Sequence, residues 1–69
     1  MKRLLATYQG ADGHIIDVFA TEDSLLLDDG YKHSGYARRQ QLSLQDDVRQ
    51  ALSGFLHAQV AEHSIHFHS

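Results

Sequence analysis

The sequence predicts an α+β fold, a small antiparallel sheet packed against one long helix. Three observations carry that expectation. Short runs rich in β-branched and aromatic residues, apolar at alternate positions, occupy the first half of the chain and its tail. Glycine- and aspartate-bearing turns separate them. One segment, about 44–62, has the 3.6-residue period of a helix with a single apolar face. We expect one small domain over 1–69.

The first element is "RLLATYQ", residues 3–9, composed to suit a strand. "GADG" turns the chain into "HIIDVFAT", residues 14–21, where Ile16, Val18 and Ala20 alternate with Ile15, Asp17 and Phe19. Two such runs joined by about four residues read as a hairpin. Residues 21–41 admit two readings. Thr21 followed by Glu22 and Asp23 could cap a short helix that stops at Gly30. Alternatively, Ser24 to Leu27 form a strand that turns at Asp29-Gly30 into "YKHSGY", and this second hairpin is the favoured reading.

The helix has the clearest signals. Ser43 can cap its start, with Asp46 three residues on and Asp47 beside it, both acids suiting the positive N-terminus. Val48, Ala51, Leu52, Phe55 and Leu56 trace the buried face. At 1.5 Å per residue, 44–62 would run roughly 28 Å. Gly54 interrupts it, which weakens a helix by about 1 kcal/mol against alanine and permits close approach of another backbone. In the tail "SIHFHS", Ile65 and Phe67 point one way while Ser64, His66 and His68 point the other, the pattern of a short half-buried strand.

Composition narrows the function classes. At 69 residues the chain buries only about 60% of its unfolded surface, so it needs reinforcement. It has no cysteine, which removes disulfides and thiolate metal sites and leaves a homodimer as the expected reinforcement. A net charge of −3 gives no overall nucleic-acid footprint, and six protonated histidines would carry it to +3. The apolar run Leu4-Leu5-Ala6 is shorter than a signal peptide requires, and no segment approaches a membrane span. A cytoplasmic location is the resulting expectation.

The tail invites a metal reading. His66 and His68 share one strand face, and a third ligand from His63, His57 or Glu62 would complete a site. Nothing in the sequence places that ligand, so solvent-facing histidines are the expectation and His63, His66 and His68 remain weak metal candidates. "YKHSGYARRQ" carries more weight. Tyr31, Lys32, His33, Tyr36, Arg38 and Arg39 combine basic and aromatic groups with no acid among them. Such residues anchor protein interfaces, stack on single-stranded nucleic acid, or form a solvated loop. The acidic block before them, Glu22, Asp23, Asp28 and Asp29 around the leucines, reads first as a pair of solvated turns and alternatively as one half of a self-complementary dimer contact, for which Leu25, Leu27 and Gly54 are the candidate residues.

No cysteine nucleophile, Gly-x-Ser-x-Gly elbow or glycine-rich phosphate loop is present, so no enzyme and no cofactor are expected. The hairpin-then-helix order resembles many small bacterial and phage-encoded regulators in architecture alone, and no motif carries residues across from a named family. The sequence therefore points to a small regulatory or adaptor module that binds another protein. A nucleic-acid-binding regulator using Lys32, Arg38 and Arg39, with Lys2 and Arg3 adding to the patch, is the alternative.

Overall fold

The structure is a computed structural model that describes residues 2–31 and 33–68. The described residues form β1 (Arg3–Gln9), β2 (Ile15–Ala20), β3 (Ser24–Asp28), β4 (Ser34–Arg38), α1 (Leu44–Leu56), one 3₁₀ turn (Glu62–Ser64) and β5 (Ile65–Phe67). The strands make one antiparallel sheet in the order β4-β3-β2-β1-β5. Four strands follow each other as a meander. The chain then crosses one face of the sheet as α1 and returns as β5 on the far side of β1. This is the α+β architecture that the alternation and the helical period predict.

Turn chemistry sets both hairpins. In the first, Gly13 takes a φ of +87°, and Asp12 Oδ1 accepts from the His14 N–H. In the second, residues 29–33 connect β3 to β4. Asp28 Oδ1 accepts from Gly30 N–H, Asp29 Oδ1 accepts from Tyr31 N–H, and Gly30 sits at φ +81°. These local bonds, with three leucines in strand alternation, favour the hairpin over a helix for 21–41.

The core lies between the sheet and α1. Ile16 and Val18 of β2, Leu25 and Leu27 of β3, and Val48 and Leu52 of α1 are fully buried there. β1 contributes two consecutive residues, Leu5 and Ala6, because a bulge between Leu4 and Ala6 turns both inward. Val60 and Ile65 complete this core, and Ala51, Phe55, Leu56 and Phe67 pack half-buried against it.

α1 begins as expected, with Ser43 Oγ accepting from Asp46 N–H. Its end does not match the expected 44–62. The helix stops at Leu56, where His57 adopts a left-handed conformation and its N–H bonds Ser53 O. The reason is chain reach: Ile65 must pair with Tyr8. A helix running to 62 would leave two residues, at about 3.5 Å each, for the return to β1. Stopping at Leu56 frees 57–61 to make that return and to place Val60 in the core.

Candidate functional site

With α1 on one face, the other face of the sheet is left open by the described residues. Strand register arranges it in rows across the strands. Leu4, Phe19, Leu26 and Tyr36 stand side by side in one row from β1 to β4. Next to it, His66, Thr7, Asp17, Asp28 and Ser34 form a polar row rich in carboxylate. On the other flank, Arg38 lies opposite Ser24, and Lys2 holds its ammonium 4.5 Å from the Phe19 ring centre. The open face thus has a basic end, an apolar and aromatic middle, and an acidic row. Leu4 and Tyr36 are exposed, while Phe19 and Leu26 are half-buried by their neighbours.

This row is what sequence reasoning missed. Its signal was present in Leu4-Leu5, Ile15-Ile16 and Leu25-Leu26-Leu27, strands apolar on both faces. Such strands normally belong to sheets covered on both sides. Here the chain covers one side.

The basic-aromatic segment divides into separate roles. Tyr31 at the hairpin tip and Tyr36 on β4 are 87% and 72% exposed, and Arg38 is exposed beside Tyr36. His33 is exposed as well, facing Asp29 across 3.4 Å. The Tyr31 backbone N–H, ahead of the His33 contacts, holds the Asp29 carboxyl below its ordinary range. Lys32 lies outside the described residues.

Arg39 is drawn out of the set. Its Nε donates to Asp47 Oδ2, and Asp47 is buried at 3% exposure. Asp47 Oδ1 also accepts from the Gln40 and Leu42 backbone N–H groups. The carboxylate therefore ties the end of β4 and the 40–42 loop to the first turn of α1. Its pKa is lowered, first by the Arg39 hydrogen bond, with burial opposing and the Leu42 and Gln40 amides assisting. Arg39 is thus bound within the fold through its Nε, with about a third of its side chain still exposed.

The expected dimer contact is corrected in the same way. Leu25 and Leu27 are each 1% exposed, on the side of β3 beneath α1, which leaves them almost no surface to offer a second chain. Among the described residues, Gly54 approaches no backbone beyond its own helix, since a Cβ there would meet nothing within 4 Å. It borders a groove of about 380 Å³ between α1 and β4, with Gly35, Ala37, Ala51 and Phe55 on its walls.

The tail histidines stand on the open face. His66 and His68 pack edge to face with ring centres 5.0 Å apart, and His68 Nε2 lies 2.8 Å from Thr7 Oγ1. Thr7 Oγ1 in turn donates to Asp17 Oδ1 at 3.2 Å. One hydroxyl proton cannot serve both neighbours. Donated to Asp17, it requires His68 to donate from Nε2; donated to His68, it leaves Asp17 without that bond. His63 and Glu62 lie in the 3₁₀ turn, and His57 caps α1. Among the described residues, no three histidine or carboxylate side chains gather as a metal site.

No family model, curated protein or solved structure matches the chain. Among the described residues, no helix is long and apolar enough to cross a membrane.

Proposed function

We propose that the chain is a small non-enzymatic regulatory or adaptor module that binds another protein through the open face of its sheet. The observation that carries this reading is the uncovered row Leu4–Phe19–Leu26–Tyr36, flanked by Arg38 and Lys2 on one side and by Asp17 and Asp28 on the other. An apolar strip with aromatic members and a charged rim is the anatomy of a protein interface. Tyr36 and Arg38 supply exposed groups of the types enriched at binding hot spots.

Lys2 and Arg38 beside Phe19 and Tyr36 also resemble a stacking surface for single-stranded nucleic acid. The neighbouring carboxylates of Asp17 and Asp28, and the net charge of −3, repel a phosphate backbone and favour protein.

The test is capture from extracts of the native host with the immobilised chain, read by mass spectrometry. Phe19→Ser and Leu26→Ser, both on the open face, should lose a protein partner that wild type retains. Gln45→Ala, on the exposed side of α1, should retain it. Equal capture by all four proteins would remove the open face as the binding surface. Bound RNA or DNA whose affinity falls steeply with salt would install the nucleic-acid reading instead.

A further inference from the structure

The sheet has two outer edges, β5 with three residues and β4 with five. Asp29 N–H bonds His33 O, and Arg39 N–H bonds Asp23 O. Those two bonds set the register of β4 against β3. Residues 33, 35, 37 and 39 use their backbone groups on β3, so Ser34, Tyr36 and Arg38 direct theirs away from the sheet. Arg38 O is held by the exposed Gln40 side chain at 3.3 Å. Among the described residues, no other bond is made to these outward groups. β4 has neither the proline nor the bulge that commonly protects an edge strand.

We propose that two copies of this chain pair β4 to β4, antiparallel about a two-fold axis at Tyr36, to make one continuous ten-stranded sheet. The inference rests on the reading of the chain as a protein-binding module and names a second copy as one partner. In this register Tyr36 faces Tyr36 of the second copy, and Ser34 faces Arg38 of the second copy. All three positions have outward backbone groups, so every facing pair exchanges two hydrogen bonds and Gln40 is displaced from Arg38 O.

Charge selects this register. The acidic row Asp17–Asp28–Ser34 ends at the β4 edge, and an antiparallel partner continues it with its Arg38 and then its Ser24. The second copy's Arg38 thus stands two strands from Asp28, about 10 Å along the row, with only the small Ser34 side chain between them. The two-fold axis repeats the contact on the other side. Among the described residues, Arg38 has no carboxylate partner within its own chain. The apolar row is joined as well, because Tyr36 ends it in both copies and the two rings meet at the axis.

The covered face fits too. Gly35 and Ala37 are the β4 residues on that side, and each would oppose the other in the second copy. Such small side chains let the two grooves beside α1 run together, with Ala51 and Gly54 bordering the joined space.

The absence of cysteine makes the register directly testable. Tyr36→Cys places a thiol on the axis, with Cα atoms about 5.5 Å apart and within disulfide reach. Ser34→Cys places the two thiols four residues apart along the strands, about 14 Å, which is out of reach. Under mild oxidation, Tyr36→Cys should form a covalent dimer rapidly, Ser34→Cys alone should not, and Ser34→Cys/Arg38→Cys together should. Phe19→Cys, on the open face away from the edge, should stay monomeric by this assay.

Sedimentation of the unmodified chain should show a monomer–dimer equilibrium. Tyr36→Pro removes two symmetry-related hydrogen bonds without touching β3 and should weaken it roughly ten- to hundred-fold. A chain that is monomeric at every concentration it tolerates would overturn the proposal. So would cross-linking of Ser34→Cys or Phe19→Cys as fast as Tyr36→Cys, the latter meaning that copies meet face to face. The two readings fail separately. Loss of register-specific cross-linking with Phe19-sensitive capture intact sinks the β4 pairing and leaves the protein-binding reading standing.

Discussion

Asp47 is the residue whose sequence context says least about its role. Beside Asp46 in the first turn it reads as an acid that suits the positive helix N-terminus, and yet it is buried and bonded by Arg39, Gln40 and Leu42. Those bonds hold its pKa below the ordinary carboxylate value of about 3.9, with Arg39 the largest cause. The sign follows from linkage. A carboxyl depressed in the fold contributes stability that is present above the unfolded pKa and lost as pH falls through the folded one. Thermal unfolding followed by circular dichroism should therefore show a melting temperature that drops as pH falls below about 4. Asp47→Asn should lower the melting temperature at neutral pH and flatten that acid slope. Asp12 and Asp29, depressed by the His14 and Tyr31 backbone N–H groups respectively, add to the slope that remains. An unchanged slope in Asp47→Asn would show that the ion pair with Arg39 does not hold the carboxylate.

At the scale of the element, α1 carries two departures from helix preference. Gly54 sits in its interior with open space where a Cβ would be, so Gly54→Ala should stabilise the monomer by about 1 kcal/mol. His57 holds a left-handed conformation, at φ 55°, that glycine adopts at no steric penalty. His57→Gly should accordingly stabilise by roughly 1 kcal/mol, measured as a shifted urea midpoint with unchanged slope. Destabilisation by His57→Gly would mean that the imidazole makes a contact that offsets the backbone strain. The hairpins behave differently. Gly13 and Gly30 occupy φ values of +87° and +81°, and alanine at either should destabilise by about 1 kcal/mol.

Across the whole molecule, stability rests on one layer of contacts between α1 and the sheet, and Leu52 lies at its centre. Leu52→Ala should destabilise by about 2–5 kcal/mol, a large share of what a domain of this size possesses. Measured by chemical denaturation, a loss below about 1 kcal/mol would show that the core relaxes into the space. Among the described residues, the opposite side of the sheet has no such layer. Pairing through β4 would tie folding to assembly, so the melting temperature should rise with protein concentration in wild type and much less in Tyr36→Pro.

The local preferences that need no partner were legible in the chain. The strands show in the alternation of Ile16 and Val18 against Asp17, and of Ile65 and Phe67 against His66. The helix start shows in Ser43, and the turns in Asp12-Gly13 and Asp29-Gly30. Each depends on residues a few positions apart, where propensity and periodicity act directly. The candidate site was legible only in pieces: Tyr36 and Arg38 stood out as exposed types, while Leu4, Phe19 and Leu26 merged with the core leucines. The tertiary structure decided which face of β1, β2 and β3 receives α1, and hence which apolar residues remain uncovered. It also ended α1 at Leu56, buried Asp47 against Arg39, and sent Leu25 and Leu27 into the core. All of these are set by chain crossings and strand pairings between distant residues, such as Ile65 with Tyr8, that local pattern does not encode.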